Sequence, residues 1–375
     1  MFEGTQITGI KRGSSNYPRY DDAALAFEGY WYPVMFSRQL GRKPVSLQLF
    51  GEDIMFVRDG GEAHALADRC PHRGIPLSLG RQEFPGTFTC GYHGWTFDLR
   101  TGELVAALTD GPDSPICGKA RVRRYPLAER VGIVWIYNGT NTPPPVERDI
   151  PREMLADDAV IEGRIVTRPG DWRHGAENGF DESHGKYLHR DAWMVFFRHQ
   201  PAFITTVIGP DDDPWITRKT KTAELFGDFP GLGTWPKKRF WKSGRGGTVV
   251  SVRLPGTLRV NYGAWIHFEW YVPTVVGEHR YLQFVVKHAS GLAALRFRIG
   301  YWLFLRWIFH VQFNNQDARV VRAMKTPPER LFRPDHSIVA WRRLCEQAGG
   351  KRDDAFVSAE AIDAATDQEI REACQ

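Results

Sequence analysis

CPHRG (Cys70–Gly74) and CGYHGW (Cys90–Trp95) decide the reading of this chain. Together they spell C-x-H, seventeen intervening residues, then C-x2-H. Each stretch offers one thiolate and one imidazole. A zinc site draws on the same ligand types, but it normally presents paired cysteines followed by paired histidines. Mixing the two within each loop suits a cluster of two unlike irons, with Cys70 and Cys90 on one and His72 and His93 on the other. Gly74, Gly91 and Gly94 allow backbone N–H groups close to the sulfurs, Pro71 stiffens the first loop, and Trp95 supplies an apolar lid. A structural zinc knuckle is the competing assignment.

That division of ligands is the one found in a Rieske [2Fe–2S] centre, where neutral imidazoles replace two anionic thiolates and raise the potential. The surroundings agree. PVSLQLFG, DIMFVRDG and EAHALADR alternate around Gly- and Asp-containing turns, as strands of a small antiparallel module do, and VGIVWIYNG (Val131–Gly139) closes the block. The proline-rich NTPPPVERDIP then reads as a linker, with a boundary near residue 145. Expected are an N-terminal helical segment over 1–30, its helix starting at Asp21, an all-β cluster domain over 31–145, and an α+β domain over 146–375. In the last, β-branched and aromatic runs such as AWIHFEWYVPT suit a curved antiparallel sheet, followed by a long aromatic-rich helix over 291–323.

Composition excludes several classes. With 42% hydrophobic and 25% charged residues, the 375-residue chain is ordinarily globular, and a net charge of +5 is too dilute for a nucleic-acid binder. Cys70, Cys90, Cys117, Cys345 and Cys374 form a sparse, odd set with no disulfide framework, and the N-terminus lacks the apolar core of a signal peptide. Both features favour the cytoplasm. GLAALRFRIGYWLFLRWIFHVQF (Gly291–Phe313) is strongly apolar, but Arg296, Arg298 and Arg306 are costly inside a spanning helix. It reads as an amphipathic helix over a core, without a membrane. No G-x-G-x-x-G precedes a helix, so nucleotide chemistry is expected on another protein.

ENGFDESHGKYLH (Glu177–His189) is a second constellation. His184 and His189 are five apart, a spacing that turns both imidazoles inward if the helix is irregular or ends between them, and Gly185 offers such a break. Two histidines and one carboxylate make the facial triad of non-haem Fe(II) sites, with positions left open for O2 and water. Taken alone, the two histidines fit a polar surface helix as readily, and the carboxylate must come from elsewhere.

The two sets together resemble the terminal oxygenase component of Rieske non-haem iron oxygenases, over nearly the whole chain. FEGYWYPVMFSRQL, RLPGTLRV, HFEWYVPT, FNNQDARVVRAM and SIVAWRRL resemble segments of the carbazole angular dioxygenases in that family. The resemblance implies a Rieske module followed by an α+β helix-grip domain, assembled as a homotrimer. It implies that Asp317, in FNNQDARVVRAM, completes the Fe2+ site with His184 and His189. It implies that Asp181 hydrogen-bonds His184 and the partner subunit's His93, with Asn178 also in the catalytic set. Electrons from NAD(P)H would arrive through a reductase and a ferredoxin, and O2 would hydroxylate a fused or heterocyclic aromatic such as carbazole.

Pocket positions carry over in part. The Gly179 carbonyl matches an acceptor for a substrate N–H, Leu258, Val260 and Phe313 match apolar walls, and Glu269 matches a nearby acid. Gly263 stands where that group has a phenylalanine, His267 where it has a glutamine, and the His184–His189 spacing is one residue longer, which implies a reshaped pocket. A Rieske monooxygenase or N/O-demethylase uses the same metal ligands and is the alternative. Lys119, Arg121, Arg123 and Arg124, joined by Lys11 and Arg12, are the expected basic strip for an acidic ferredoxin.

Overall fold

The computed structural model describes residues 16–181, 183–193, 203–210, 215–223, 228–229, 231, 233–234, 249–324 and 330–348. Lys11, Arg12 and Cys374 lie outside this set. Short strands rich in apolar residues build three small antiparallel sheets in the N-terminal part. Val45–Leu49, Glu52–Asp59 and Glu62–Ala67 form one, and Thr87–Thr89, Trp95–Asp98 and Leu104–Ala107 form the next. In the third, Ile133–Asn138 lies between Tyr30–Phe36 and Leu127–Arg130. A small core that includes Met55, Leu66, Leu77, Phe88 and Phe97 holds the two cysteine loops.

The C-terminal part is a seven-stranded antiparallel sheet. Ala159–Pro169 sits at one edge, beside Glu278–His288. Then follow Ile266–Val275, Thr257–Asn261, Val249–Arg253, Ile216–Ala223 and Phe203–Pro210. Residues paired directly across strands share a face, so the register sets Ile208, Arg218, Val250, Val260, His267 and Val285 in one row. The alternate residues Phe268 and Trp270 face the other way, where Trp135 meets Trp270 edge-on at 5.8 Å. Phe36 meets Phe284 at 5.6 Å, and one hydrophobic core therefore runs through both parts of the chain.

Three expectations about local structure are corrected. The N-terminal helix is Pro18–Asp22, started by the proline, and Ala23–Leu25 forms only a tight 3-10 turn. The proline-rich connector is packed rather than free: the Trp31 indole N–H donates to the Pro144 carbonyl and the Trp31 backbone N–H to Asp149, each at 2.9 Å, while Val146 and Ile150 are buried.

The long helix is the third. Its Gly291–Gly300 segment is α-helical, Tyr301–Phe313 winds as a π-helix, and Asn314–Ala323 returns to α. Tyr301 and Phe309 pack inward on Val285, but Leu292, Leu295, Ile299, Trp302, Leu303, Phe304 and Trp307 are exposed. The segment is thus apolar on both faces instead of amphipathic over a core. Among the described residues, no helix is long and apolar enough to cross a membrane.

Candidate metal centres and active site

The two cysteine loops repeat one backbone pattern. Gly74 N–H donates to the Cys70 carbonyl at 2.8 Å and Gly94 N–H to the Cys90 carbonyl at 3.2 Å. Cys70 N–H reaches the Ile75 carbonyl and Cys90 N–H the Trp95 carbonyl, both at 2.8 Å. Gly94 has φ +70°, and a Cβ there would lie 2.8 Å from Leu108 Cβ, so the turn requires glycine. The cysteines are buried and close to each other, whereas His72 is exposed and His93 half-buried. The imidazole centroids are 4.6 Å apart, and Trp95 stacks on His72 at 4.8 Å.

Burial, followed by the contact with Cys90, pushes the Cys70 thiol up to about 11. Anionic sulfur is therefore unstable here unless a cation stands beside it, and a bound metal ion supplies that charge. The donor set fits a two-iron cluster, with its thiolate side inward and its imidazole side at the surface.

The second donor set begins on the Trp172–Phe180 helix, which ends at Asp181. The Asp181 carboxylate caps the next short helix, Ser183–Tyr187, by accepting the backbone N–H groups of Ser183 at 2.8 Å and His184 at 3.0 Å. It also lies 3.2 Å from His184 Nδ1. Burial alone raises this carboxyl, but the His184 ring and the two backbone N–H groups outweigh it and hold Asp181 at about 2. The helix then tightens to a 3-10 turn over Leu188–Asp191, which turns His189 inward. The break falls at Tyr187–Leu188, not at Gly185, which is itself helical.

His189 Nδ1 faces Gln316 Oε1 at 2.9 Å. With the Nδ1 protons of His184 and His189 committed to Asp181 and Gln316, both Nε2 lone pairs point at one atom. That atom is Asp317 Oδ1, 3.5 Å from His184 Nε2 and 3.0 Å from His189 Nε2. Asp317 Oδ1 is buried and receives no hydrogen bond, while the Asn178 side chain bonds the same carboxylate. Three lone pairs converging on a buried point repel one another unless a cation separates them. Among the described residues, these three form the one group of His, Cys, Asp or Glu whose ligand atoms all lie within 4.8 Å. The set fits a facial triad for Fe2+.

A cavity opens beside this point. It is lined by Gly179, Leu258, Val260, His267, Glu269 and Phe313 of the expected pocket, together with Asn178 and Asp181. Phe313 stacks on the His189 ring at 3.9 Å. His267 Nδ1 donates to the Phe284 carbonyl at 3.1 Å, and its Nε2 meets Glu269 at 2.8 Å. Glu269 also accepts the Tyr271 hydroxyl at 2.5 Å. Burial raises the Glu269 carboxyl, but His267 and the tyrosine hydroxyls bring it below its usual range. A buried, hydrogen-bonded polar chain thus occupies one wall of a pocket whose lining also includes Leu258, Val260, Phe309 and Phe313.

Gly263 is not part of this wall. It sits in the exposed turn between Thr257–Asn261 and Ile266–Val275 at φ +80°, and its neighbour Tyr262 lines the pocket instead. Sequence reasoning also missed Arg218, Val250, Tyr271, Tyr281, Phe309 and Gln316. Tyr271 was within reach, because period-two alternation extends the His267–Glu269 face by one step. Tyr281 follows as its cross-strand partner. The basic strip is partly neutralised, with Arg121 bound to Glu103 at 2.5 Å and Arg123 to Glu52 at 2.6 Å.

Comparison with known proteins gives the same reading. Residues 30–126 match the Rieske [2Fe-2S] domain family, and residues 137–209 match the family described as homotrimeric ring hydroxylase. The terminal oxygenase component of carbazole 1,9a-dioxygenase from Metapseudomonas resinovorans is 34% identical, over 88% of this chain and 92% of that protein. Among solved structures, a fluorene-bound complex of a carbazole 1,9a-dioxygenase oxygenase variant with ferredoxin aligns at a TM-score of 0.79 and 31% identity. That alignment covers 89% of this chain and 94% of the other. The terminal oxygenase from Nocardioides aromaticivorans aligns at 0.78 and 29% identity, covering 89% and 97%. With two donor sets of this chemistry in one chain, and likeness along nearly its full length, the protein belongs to the Rieske non-haem iron ring-hydroxylating oxygenases, as a terminal oxygenase component.

Proposed function

We propose that this chain oxidises a fused or heterocyclic aromatic, carbazole or a relative of it, with O2 and with electrons delivered by a ferredoxin. The observation that carries the proposal is the convergence of His184, His189 and Asp317 on one buried point at the end of a pocket walled by Leu258, Val260, Phe309 and Phe313. When bound, the cluster supplies single electrons and the mononuclear iron supplies O2 activation. Cys70, His72, Cys90 and His93 hold the former, and His184, His189 and Asp317 the latter. Asp181 and Gln316 fix the imidazole tautomers. As the resemblance implies, Asp181 would also reach the partner subunit's His93, and the two residues would give electrons a path between subunits of the trimer.

The Gly179 carbonyl orients a ring N–H, and the apolar walls exclude water from the reacting carbons. His267, where that group has a glutamine, pairs with the buried Glu269, which supports a substrate other than unsubstituted carbazole. We assign the cluster module to residues 31–145 and the catalytic domain to 146–375, and we place the protein in the cytoplasm.

The test supplies the iron-replete protein with ferredoxin, reductase, NADH and isotopically labelled O2 on a panel of fused aromatics. Products carrying both oxygen atoms on adjacent ring carbons support dioxygenation. A single labelled oxygen, or release of an N- or O-methyl group as formaldehyde, supports the monooxygenase reading. Absence of any oxygenated aromatic across the panel overturns the proposal.

A further inference from the structure

We propose that the outward face of the Gly291–Phe313 segment docks on the anionic phospholipid surface of a membrane, with the enzyme lying on the bilayer rather than crossing it. Exposed apolar side chains are ordinary when scattered, but a contiguous patch marks an interaction surface. Here Leu295, Ile299, Trp302, Phe304 and Trp307 stand exposed within thirteen residues of one helix. The inward face of the same helix already packs on the sheet through Tyr301 and Phe309, so the outward residues add nothing to this core.

Charge selects the occupant. The run from Gly291 to Phe313 holds Arg296, Arg298 and Arg306 and no acidic residue. The Arg306 guanidinium lies over both exposed indoles, 5.2 Å from the Trp302 ring and 5.0 Å from the Trp307 ring. Indoles and long cationic chains side by side suit the headgroup layer, where rings sit at the interface and guanidinium groups meet phosphates. A two-fold contact with a second copy fits less well, because this face brought against itself sets arginines against arginines.

The placement also serves the site. Two residues after Trp307, the helix turns Phe309 into the wall of the iron pocket. Beside it, an outer groove lined by Trp265, Phe297, Tyr301 and Leu305 runs along the helix. Trp265 and Phe309 meet at 5.0 Å between groove and pocket. An apolar aromatic dissolved in lipid would meet this groove before it met bulk water.

The experiment is sedimentation of the trimeric holoenzyme with vesicles of phosphatidylcholine, alone or mixed with phosphatidylglycerol. Cluster absorbance reports folding and sedimentation velocity reports assembly. Wild type is expected to pellet with the anionic vesicles and to be released by salt. Replacing Trp302, Phe304 and Trp307 together by serine is expected to lower the vesicle-bound fraction by about tenfold or more, with trimer and absorbance unchanged. Arg296→Glu with Arg298→Glu should abolish the preference for anionic lipid. Wild type that stays in the supernatant, or variants that bind like wild type, overturn the proposal. Variants that fall apart into monomers also overturn it, since the face is then a subunit contact. If the triple variant loses its cluster absorbance, Trp302→Ser alone and the charge pair decide the matter. None of these readouts depends on the reaction assigned above.

Discussion

Gln316, one residue before Asp317, faces the Nδ1 of His189 at 2.9 Å. A single turn of helix therefore supplies both the carboxylate and the group that aims an imidazole at it. Gln316→Leu removes the acceptor and leaves the His189 ring free to rotate. Iron affinity should fall about 10- to 100-fold, read by iron content after graded chelation, while the spectrum of the reduced cluster stays unchanged. Full iron retention in this variant would show that Phe313 stacking alone orients the ring.

Asp181 faces two ways, toward the start of a helix and toward His184. Asp181→Asn keeps a capping oxygen, so the protein is expected to retain both metals. It loses the charged acceptor, and ferredoxin-driven turnover should drop by at least about 100-fold. Iron and acid-labile sulfide analysis beside single-turnover kinetics separates these outcomes. Undiminished coupled turnover in the metal-replete variant would sink the assigned role.

Gly179 leaves space that the pocket uses. A Cβ there would lie 2.8 Å from Leu258 Cδ2 and 2.9 Å from the Tyr271 hydroxyl. Gly179→Ala should lower kcat/KM for a tricyclic substrate by about tenfold or more, with a smaller effect on a single ring and none on iron content. Equal losses for both substrates would move Gly179 from shaping the pocket to supporting the helix.

His279 supplies a pH dependence. It is buried, donates from Nδ1 to the Gly170 carbonyl at 2.9 Å, and burial lowers its pKa to about 4. The unfolded chain, with an ordinary histidine, binds the proton more readily. This contribution to stability is complete above the unfolded pKa and is lost as the pH falls from about 6.5 toward about 4. At pH 5 the loss amounts to about 2 kcal/mol. Urea midpoints at pH 7 and pH 5 measure it, and His279→Gln should narrow the difference between them.

Arg121 tests the docking strip. Its exposed pair with Glu103 tempers its field without cancelling that of Lys119 and Arg124. Arg121→Glu is expected to slow reduction by ferredoxin at low ionic strength and to flatten the salt dependence. Stopped-flow traces that match wild type at every salt concentration remove this strip from the docking surface.

The candidate metal ligands were legible because the chemistry they offer is written in residue type and short spacing. Cys70, His72, Cys90 and His93 needed only two loops, and His184 and His189 needed one irregular helix. Asp317 came only through resemblance, since more than a hundred residues separate it from the histidines. The pocket was half legible. Arg218, Val250, Val260 and His267 share a row because three strand pairings align them, and register of that kind is not a sequence spacing. Gly263 was misplaced because the turn it occupies leaves the wall one residue earlier, at Tyr262. The helix over 291–313 misled for a different reason. Its periodicity shows a face that packs but not whether the opposite apolar face has a cover, and nothing in composition announces a π-wound stretch.

The connector is held in place by packing. Trp31 grips it at Pro144 and Asp149, and Trp135 meshes with Trp270 across the same seam. Hydrogen bonds and ring packing thus fasten the junction among the described residues. That packing opposes carrying charge by swinging one module toward another, as a tethered shuttle does. With the seam packed, the proposed path between subunits at Asp181 needs no movement within the chain.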